Sequence, residues 1–159
     1  HLAHQDEQGV GVLHIQSNMV FSGYANQDIS RDKWLEIGDF ASLDHNGYLY
    51  LHGRQSDRMI IGGRNVYPTE IERVAQEYEY FNEVCIVSEP HSKFGEIAVL
   101  LYTGTRYVSY QSLKSFLSSY LARYQIPSKL IKIDEMYYTQ SGKIARRQMK
   151  ECYLGGEFK

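Results

Sequence analysis

Residues 53–72 constrain the fold of this chain more than any other stretch. The segment Gly-Arg-Gln-Ser-Asp-Arg-Met-Ile-Ile-Gly-Gly-Arg-Asn-Val-Tyr-Pro-Thr-Glu-Ile-Glu combines a charged corner, two short apolar strands around a double glycine, and a helix start. Strand signals precede it, and alternating helix and strand signals follow it. The pattern therefore predicts a joint between two structural units near residues 54–57, followed by a glycine turn that approaches a partner or ligand closely.

The residues before this joint have the signals of a small antiparallel β unit. Apolar residues alternate within residues 9–23 and predict two short strands, with a closing turn at 23–26. The segments 35–43 and 48–52 predict a hairpin, because Asp44-His45-Asn46-Gly47 supplies the left-handed positions of a tight turn. So small a sheet buries too little apolar surface to fold well alone.

The residues after the joint alternate between helix and strand signals. Pro68 suits the first position of a helix that an apolar stripe carries to about residue 79. Ser109 can cap a second helix, whose stripe reaches Leu121, and a third short helix is predicted at 145–152. Short strands are predicted at 58–61, 64–67, 84–87, 97–102 and 130–133, with a loop at 90–95. The order β-β-α-β-β-α-β-α predicts an α+β fold, in which the small antiparallel β unit is followed by a compact domain whose helices pack on a small sheet.

Composition excludes several classes of function. The 159 residues carry a formal net charge of −2, which gives no basic face for nucleic acid or an anionic membrane. No apolar run approaches the roughly 20 residues that span a bilayer, and we expect neither a transmembrane segment nor a signal peptide. Cys85 and Cys152 form neither a disulfide framework nor a metal-binding pattern, so we expect no metal site and a reducing, cytoplasmic location.

Asp39 and Arg54 are candidate ligand-binding residues. Asp39 follows Gly38 within a predicted strand, where its carboxylate could accept hydrogen bonds from a vicinal diol such as ribose, or could bond its own turn. Arg54 follows Gly53 at the joint, and its planar guanidinium suits a phosphate, a carboxylate or a salt bridge between the two units. Neither residue decides between these alternatives by itself.

The double glycine Gly62-Gly63 and the residue Lys143 are the other candidates. The glycines are explained by a two-residue hairpin turn of type I′ or II′, and they also suit the close approach of a ligand. Lys143 follows Ser141-Gly142, but the glycine-rich run of a phosphate-binding loop is missing, so that motif is rejected. What remains is one ammonium on a mobile polar loop at 139–143, either solvated or reaching toward an anion.

Eight blocks in one order resemble the carboxyl-terminal portion of the adenylate-forming superfamily. That superfamily includes acyl-CoA synthetases, luciferase-type enzymes and the adenylation domains of peptide synthetases. The resemblance extends over residues 9–151. The blocks are Phe-Ser-Gly-Tyr at 21–24, Gly-Asp at 38–39, Gly-Tyr-Leu at 47–49, Gly-Arg-x-x-Asp at 53–57, Gly-Gly-x-Asn-Val-Tyr-Pro-x-Glu-Ile-Glu at 62–72, Phe-Gly-Glu at 94–96, Tyr-Gln-Ile-Pro at 124–127 and Ser-Gly-Lys-Ile at 141–144.

The resemblance implies an ATP-dependent acid–thiol ligase. Such enzymes convert a carboxylate and ATP, with Mg²⁺, to an acyl-adenylate and pyrophosphate, and then transfer the acyl group to the thiol of coenzyme A. It implies that Asp39 holds the ribose hydroxyls, that Arg54 contacts the nucleotide, and that Lys143 stabilises the transition state at the α-phosphate. It also implies that Gly63 lines the channel through which the pantetheine thiol reaches the adenylate.

The resemblance also divides the chain. Residues 1–53 correspond to the last β segment of a large amino-terminal adenylation domain, residues 54–57 to a hinge, and residues 58–159 to a carboxyl-terminal lid domain. The lid is expected to rotate at Ser56 and Asp57, and Ser56 stands where the family usually has Asp or Lys. The phosphate-binding loop and the adenine and acyl pockets lie upstream in the family. We therefore expect the chain to be inactive alone and to need that missing domain as its partner.

Two other functions stay open at this point. The chain could belong to an adenylation domain that loads the phosphopantetheine of a carrier protein, or it could be a non-catalytic interaction module. Gly-Gly-Arg-Asn-Val-Tyr-Pro favours an acyl-CoA synthetase, and hence a role such as fatty acid metabolism, although the residues that select the acyl group are not part of this sequence. Met136-Tyr137 stands where the family more often has a proline shortly before the lysine loop.

Overall fold

The computed structural model of the chain describes residues 1–17 and 34–158. The described residues form two compact units, His1–Asp57 and Arg58–Lys159, called unit 1 and unit 2 below. Predictions that fall on residues 18–33 lie outside the described residues; they are the second strand, its closing turn and the first block of the resemblance.

The described residues of unit 1 form a four-stranded antiparallel sheet. Its strands are β1 (Leu2–Ala3), β2 (Gly11–Ile15), β3 (Leu35–Leu43) and β4 (Leu49–Arg54), hydrogen-bonded in that order. The sequence pattern does not predict the two-residue β1, whose Leu2 packs with Leu13 and Ala41 in the small core of the unit. A 3-10 turn at Gln55–Asp57 follows β4 and ends unit 1.

The hairpin formed by β3 and β4 has the predicted turn. Asp44 Oδ1 accepts hydrogen bonds of 2.9 Å from the backbone N–H groups of Asn46 and Tyr48, and Gly47 adopts a φ of 84°. These bonds, the one from Tyr48 most of all, lower the pKa of the Asp44 carboxyl. The turn therefore forms because an aspartate satisfies its backbone donors and a glycine takes its left-handed position.

Unit 2 has the predicted order of strands and helices. Its elements are β5 (Met59–Ile61), β6 (Arg64–Val66), α1 (Pro68–Ala75), β7 (Glu83–His91), β8 (Gly95–Thr103), α2 (Tyr110–Leu117), β9 (Lys129–Lys132) and α3 (Arg146–Gly155), with a 3-10 turn at Arg123–Gln125. Pro68 begins α1, and the Ser109 side chain caps α2 by accepting from the backbone N–H of Ser112. The predicted α+β class is confirmed.

The sheet of unit 2 is built around the long hairpin of β7 and β8. All nine residues of β7 pair antiparallel with β8, from Glu83 opposite Thr103 to His91 opposite Gly95. On the other edge of β8, β5 pairs at Gly95 and β9 pairs in parallel from Val99 to Tyr102. The strands take up half of the predicted loop at 90–95, because β7 extends to His91 and β8 begins at Gly95. β7 has a strand on one side only, and such an edge strand tolerates Pro90.

Helices cover both faces of this sheet. Alternate residues of β7 and β8 enter two separate apolar clusters, because side chains along a strand point to opposite faces. One cluster joins Ile86 and Leu100 to α1 and α2, and the other joins Cys85, Val87 and Leu101 to α3 through the fully buried Met149. The two strands therefore appear in the sequence as unbroken apolar runs.

Two helices are shorter than their apolar stripes predict. α1 ends at Ala75 instead of near residue 79, and α2 ends at Leu117 instead of at Leu121. Tyr78 and Leu121 still pack against the core, but from the turns that follow each helix. An apolar stripe indicates which side chains contact the core. Because a side chain in a hydrogen-bonded turn can also contact the core, the stripe does not mark the last residue of the helix.

An ion pair ties α3 to α1 and β7 in unit 2. Arg146 at the start of α3 forms a two-pronged pair with Glu72 of α1, in which Nη1 contacts Oε1 and Nη2 lies 2.9 Å from Oε2. Arg146 Nη1 also donates to the Ile86 carbonyl at 2.8 Å, while the Ile86 N–H donates to Glu72 Oε1 at 2.7 Å. The side chains of Arg146 and Glu72 are only 21% and 17% exposed. Little water reaches the two charged groups, so each depends on hydrogen bonds within the protein, chiefly those of the pair itself.

We expect Glu72→Ala to lower the free energy of unfolding of unit 2 by about 2–4 kcal/mol, because it removes the mostly buried carboxylate that accepts from both the Arg146 guanidinium and the Ile86 N–H. Urea unfolding followed by circular dichroism measures this change. Glu151→Ala is the matched control, because the Arg147–Glu151 pair on α3 is exposed, and it should cost no more than about 0.5 kcal/mol. Equal losses in the two variants would contradict the assigned role of the Glu72–Arg146 pair.

Candidate functional site

Asp39 and Arg54, predicted separately as ligand contacts, lie side by side in unit 1. They are cross-strand partners, with Asp39 in the middle of β3 and Arg54 at the end of β4. Arg54 Nε lies 3.2 Å from Asp39 Oδ1, and Arg54 Nη1 donates to the Ile37 carbonyl at 3.3 Å. Arg54 thus forms an ion pair within unit 1, with Asp39.

This pair presents a carboxylate and a guanidinium at an exposed edge of unit 1. The Arg54 side chain is 62% exposed and that of Asp39 is 23% exposed. A carboxylate has two acceptor oxygens and a guanidinium has five N–H donors, so both groups can bind a ligand while they stay paired. Gly38 precedes Asp39 with a φ of 74°, and a Cβ built on it would meet no atom within 4 Å, so the backbone beside the carboxylate is open.

Gly62 and Gly63 form the predicted two-residue hairpin turn in unit 2. Their φ values of 58° and 79° are both positive, as a type I′ turn requires, and Ile61 pairs with Arg64 across the turn. The Gly62 N–H donates to the Phe94 carbonyl at 2.9 Å, which fixes this turn against the one that joins β7 to β8. Both glycines are exposed, and a Cβ at Gly63 would meet no atom within 4 Å.

A cavity of about 640 Å³ opens beside this glycine turn. Its lining combines apolar, aromatic and cationic side chains from three separate blocks of the sequence. The residues are Ile61, Gly62, Arg64, Phe94, Ile97, Arg123, Tyr124, Ile126 and Ser128. Within it, the guanidinium carbon of Arg64 lies 4.9 Å from the centre of the Tyr124 ring.

Sequence reasoning assigned no role to the residues of this cavity other than the glycines. Phe94 and Tyr124 fall within blocks of the resemblance, so the sequence could have pointed to them. Arg64 occupies the variable position of the glycine block, and Arg123 directly precedes the block at 124–127. A second cavity of about 660 Å³ lies between α1 and α2 and contains none of the predicted site residues.

Lys143 ends a hydrogen-bonded turn rather than an irregular loop. Tyr138 and Ile144 form an antiparallel bridge at the base of the turn, and the Thr139 N–H donates to the Lys143 carbonyl at 2.8 Å. The Lys143 N–H donates to Thr139 Oγ1 at 3.2 Å, and Gly142 takes a φ of 77°. Lys143 is exposed. The predicted polar loop is therefore present, but its backbone is held in a defined shape.

The Lys143 turn and the glycine turn are attached at opposite ends of the β7–β8 hairpin. At one end, the Tyr138 hydroxyl donates to Glu83, the first residue of β7. At the other end, Gly62 bonds to Phe94, just beyond the last residue of β7. Eight residue steps along a strand span about 27 Å. One unit therefore carries a cationic turn and a glycine-lined cavity at well-separated attachment points.

The predicted hinge residues lie in the 3-10 turn at the boundary between the units. Ser56 Oγ donates to Asp57 Oδ1 at 3.1 Å, and the boundary falls between Asp57 and Arg58. The rotation assigned to these residues stays a prediction.

Within residues 1–17 and 34–158, no cluster of three or more His, Cys, Asp or Glu side chains could hold a metal ion. None of the helices in the described part of the chain combines the length and apolar character needed to cross a membrane.

The two units carry the features that the sequence blocks predict: a turn that bears Lys143, a glycine hairpin at 62–63 and the Asp39–Arg54 pair. No family model matches the chain. It is 50% identical over 156 residues to a Staphylococcus epidermidis protein named "Putative long chain fatty acid-CoA ligase VraA", a match that covers 98% of this chain and 34% of that protein. The chain spans about a third of the length of the curated relatives it matches.

Solved structures give the same result. The fold matches the Bacillus subtilis o-succinylbenzoate CoA synthetase (MenE) in complex with the acyl-adenylate intermediate OSB-AMP, with a TM-score of 0.82 and 29% identity over 89% of this chain and 30% of that one. The same enzyme in complex with ATP and magnesium ion matches with a TM-score of 0.81 and 28% identity, again over 89% of this chain and 30% of that one. The chain belongs to the adenylate-forming superfamily, whose carboxyl-terminal portion it matches, as the resemblance of its sequence blocks predicts.

Proposed function

We propose that residues 1–159 are the carboxyl-terminal part of an ATP-dependent acyl-CoA synthetase. The full-length enzyme would convert a carboxylate and ATP, with Mg²⁺, to an acyl-adenylate and pyrophosphate, and would then form a thioester with coenzyme A. The observation that carries the proposal is the arrangement of unit 2, which holds Lys143 and Gly63 on turns attached at opposite ends of one hairpin. Such a unit can present one turn or the other to a nucleotide, but not both at once.

In this proposal Asp39 and Arg54 bind the nucleotide. The Asp39 carboxylate accepts hydrogen bonds from the two ribose hydroxyls, because a vicinal diol presents two donors at the spacing of carboxylate oxygens. Arg54 holds Asp39 in place through its Nε and offers its exposed edge to the nucleotide. Mg²⁺ would arrive with ATP and be held by the phosphates together with residues of the larger domain.

Lys143 would supply charge during adenylation. Negative charge builds on the α-phosphate and on the departing pyrophosphate as the carboxylate attacks, and an ammonium placed there stabilises the transition state more than the bound substrate. An exposed lysine at the end of a shaped turn suits that task, because it stays solvated until the site closes.

The cavity beside Gly62 would take coenzyme A. Its apolar walls of Ile61, Ile97 and Ile126 fit a pantetheine arm, and the guanidinium groups of Arg64 and Arg123 fit the phosphates that follow that arm. A thiol that passes Gly63 would meet backbone only, because no side chain projects there. The change from one pose to the other would occur by rotation of unit 2 at Ser56 and Asp57.

Unit 1 has the surface of a partial domain. Its β3–β4 hairpin exposes apolar side chains, among them Leu43 at 50%, Tyr48 at 68% and Leu51 at 63% exposure. A patch of this kind normally packs against other protein. We propose that it packs on the remainder of a large adenylation domain, that the chain is inactive without that domain, and that the full-length enzyme works in the cytoplasm, where ATP and coenzyme A are available. The name of the staphylococcal relative favours a fatty acid as the carboxylate.

In the full-length enzyme, we expect Lys143→Ala to slow adenylation by about 10²–10³-fold, measured as ATP–pyrophosphate exchange, because one developing charge loses its stabilising partner. Thioester formation from supplied acyl-adenylate and coenzyme A should change by less than about threefold. Lys114→Ala, which removes an exposed lysine from α2, is the control and should leave both half-reactions intact. Undiminished exchange in Lys143→Ala would favour a non-catalytic interaction module over a synthetase.

We expect Gly63→Ala to show the opposite pattern in the same two assays. A methyl group in the thiol channel should slow thioester formation with coenzyme A by about tenfold or more and leave pyrophosphate exchange nearly unchanged. Gly47→Ala controls for the backbone, since Gly47 is also a turn glycine with a positive φ and open space at its Cβ position. Wild-type thioester formation in Gly63→Ala would contradict the channel, and acylation of a carrier protein but not of coenzyme A would select the peptide-synthetase alternative.

A further inference from the structure

The Lys143 turn is held on the sheet by both of its ends. On the carboxyl side, Arg146 follows Lys143 by three residues and is fixed by Glu72 and by the Ile86 carbonyl. On the amino side, the Tyr138 hydroxyl donates to Glu83 Oε1. The base between them is closed by a bond of 2.8 Å from the Ala145 N–H to the Tyr137 carbonyl.

Glu83 is a rigid acceptor for this tyrosine. It is the first residue of β7 and lies opposite Thr103 of β8 in the ladder. Its second oxygen, Oε2, accepts a hydrogen bond of 3.3 Å from Thr103 Oγ1. The hydrogen bond to Glu83 also raises the pKa of the Tyr138 hydroxyl.

Tyr138 contributes little to the core, because its side chain is 50% exposed. Packing in the core therefore does not explain why this surface tyrosine donates its hydroxyl to a carboxylate at the end of a strand. What its bond does is fix the strand residue that enters the turn, five positions before Lys143. The Arg146 contacts fix the exit from the same turn, and they are mostly buried and hence also structural.

We propose that Tyr138 is a positioning residue for Lys143: by donating to Glu83, it locks the amino-terminal side of the lysine turn to β7, so that the ammonium group reaches the α-phosphate in a preset orientation. This inference rests on the proposed function of Lys143 in adenylation. A transition-state contact loses most of its value when its donor is misplaced by about 1 Å. A turn fixed at one end only would leave the lysine with several orientations and a lower fraction in the productive one.

The test is a double-mutant cycle in the full-length enzyme. The variants are Tyr138→Phe, Lys143→Ala and the combination of both, with Tyr107→Phe as the matched control. Tyr107 is also in unit 2, is 88% exposed, and keeps its ring beside Lys132 when the hydroxyl is removed. Pyrophosphate exchange, thioester formation from supplied acyl-adenylate, and thermal unfolding are measured for every variant.

We expect Tyr138→Phe to slow pyrophosphate exchange by about threefold to tenfold, the effect of one lost hydrogen bond on the orientation of the lysine. Thioester formation and the unfolding temperature should stay at the wild-type values, as they should in Tyr107→Phe. In the Lys143→Ala background, Tyr138→Phe should cause no further loss, because there is no ammonium left to position. Glu83→Gln should give a smaller loss than Tyr138→Phe, since an amide oxygen still accepts the hydrogen bond.

Three results would overturn the inference while leaving the role of Lys143 intact. The first is wild-type pyrophosphate exchange in Tyr138→Phe, which would show that the hydroxyl has no role in adenylation. The others are an equal loss in both half-reactions and the same fold-loss with and without Lys143, either of which would make Tyr138 a structural residue. Unchanged exchange in Lys143→Ala would instead overturn the proposed function itself, and the positioning role with it.

Discussion

The antiparallel pairing of β7 with β8 is the constraint on which the rest of unit 2 depends. Nine consecutive residue pairs give a rigid hairpin with apolar side chains on both faces, and burial of both faces requires helices on both sides. The edge of β8 then offers room for two short strands, β5 near its start and β9 farther along. Each feature with proposed chemistry in unit 2 is attached to an end of this hairpin.

Two of the ion pairs described in the chain, Glu72–Arg146 and Asp39–Arg54, differ in how deeply they are buried. The Glu72–Arg146 pair is mostly buried, two-pronged and shared with backbone groups of Ile86, so the loss of either side chain leaves a mostly buried charge without its counter-ion. The Asp39–Arg54 pair has an arginine that is largely exposed, and exposed pairs contribute little to stability. A pair that contributes little to the fold while presenting an acid and a guanidinium to solvent is well suited to bind a ligand.

The order of elements could be predicted from the sequence because it depends on local signals. Pro68, the Ser109 cap and the turn residues 44–47 each satisfy backbone groups within a few positions, and the structure uses all three as predicted. The helix ends could not be predicted, because Tyr78 and Leu121 keep the apolar stripe going after the helical hydrogen bonds have stopped. The parallel placement of β9 beside β8 is also invisible in local patterns, since it joins segments about 30 residues apart.

In the candidate site, too, local signals are visible in the sequence and long-range contacts are not. Motifs identify its individual residues, but they do not identify the distant residues that contact them. Nothing in the sequence joins Tyr138 to Glu83, 55 positions away, or Arg146 to Glu72, 74 positions away. The cavity beside Gly62 likewise collects side chains from three distant blocks. Sequence motifs therefore nominate individual residues for a site, while long-range contacts explain how those residues are held.

The central claim is that unit 2 carries Lys143 and Gly63 as one rigid body and presents them in turn. Distances between paired spin labels in the full-length enzyme test it most directly, with cysteines introduced at Gln140 and Lys93 for one pair, at Gln140 and Asn46 for the other, and Cys152 replaced by serine. Between the states with bound acyl-adenylate and with added coenzyme A, the distance from 140 to 93 should stay constant while the distance from 140 to 46 changes. A change in the first distance, or none in the second, would contradict the account.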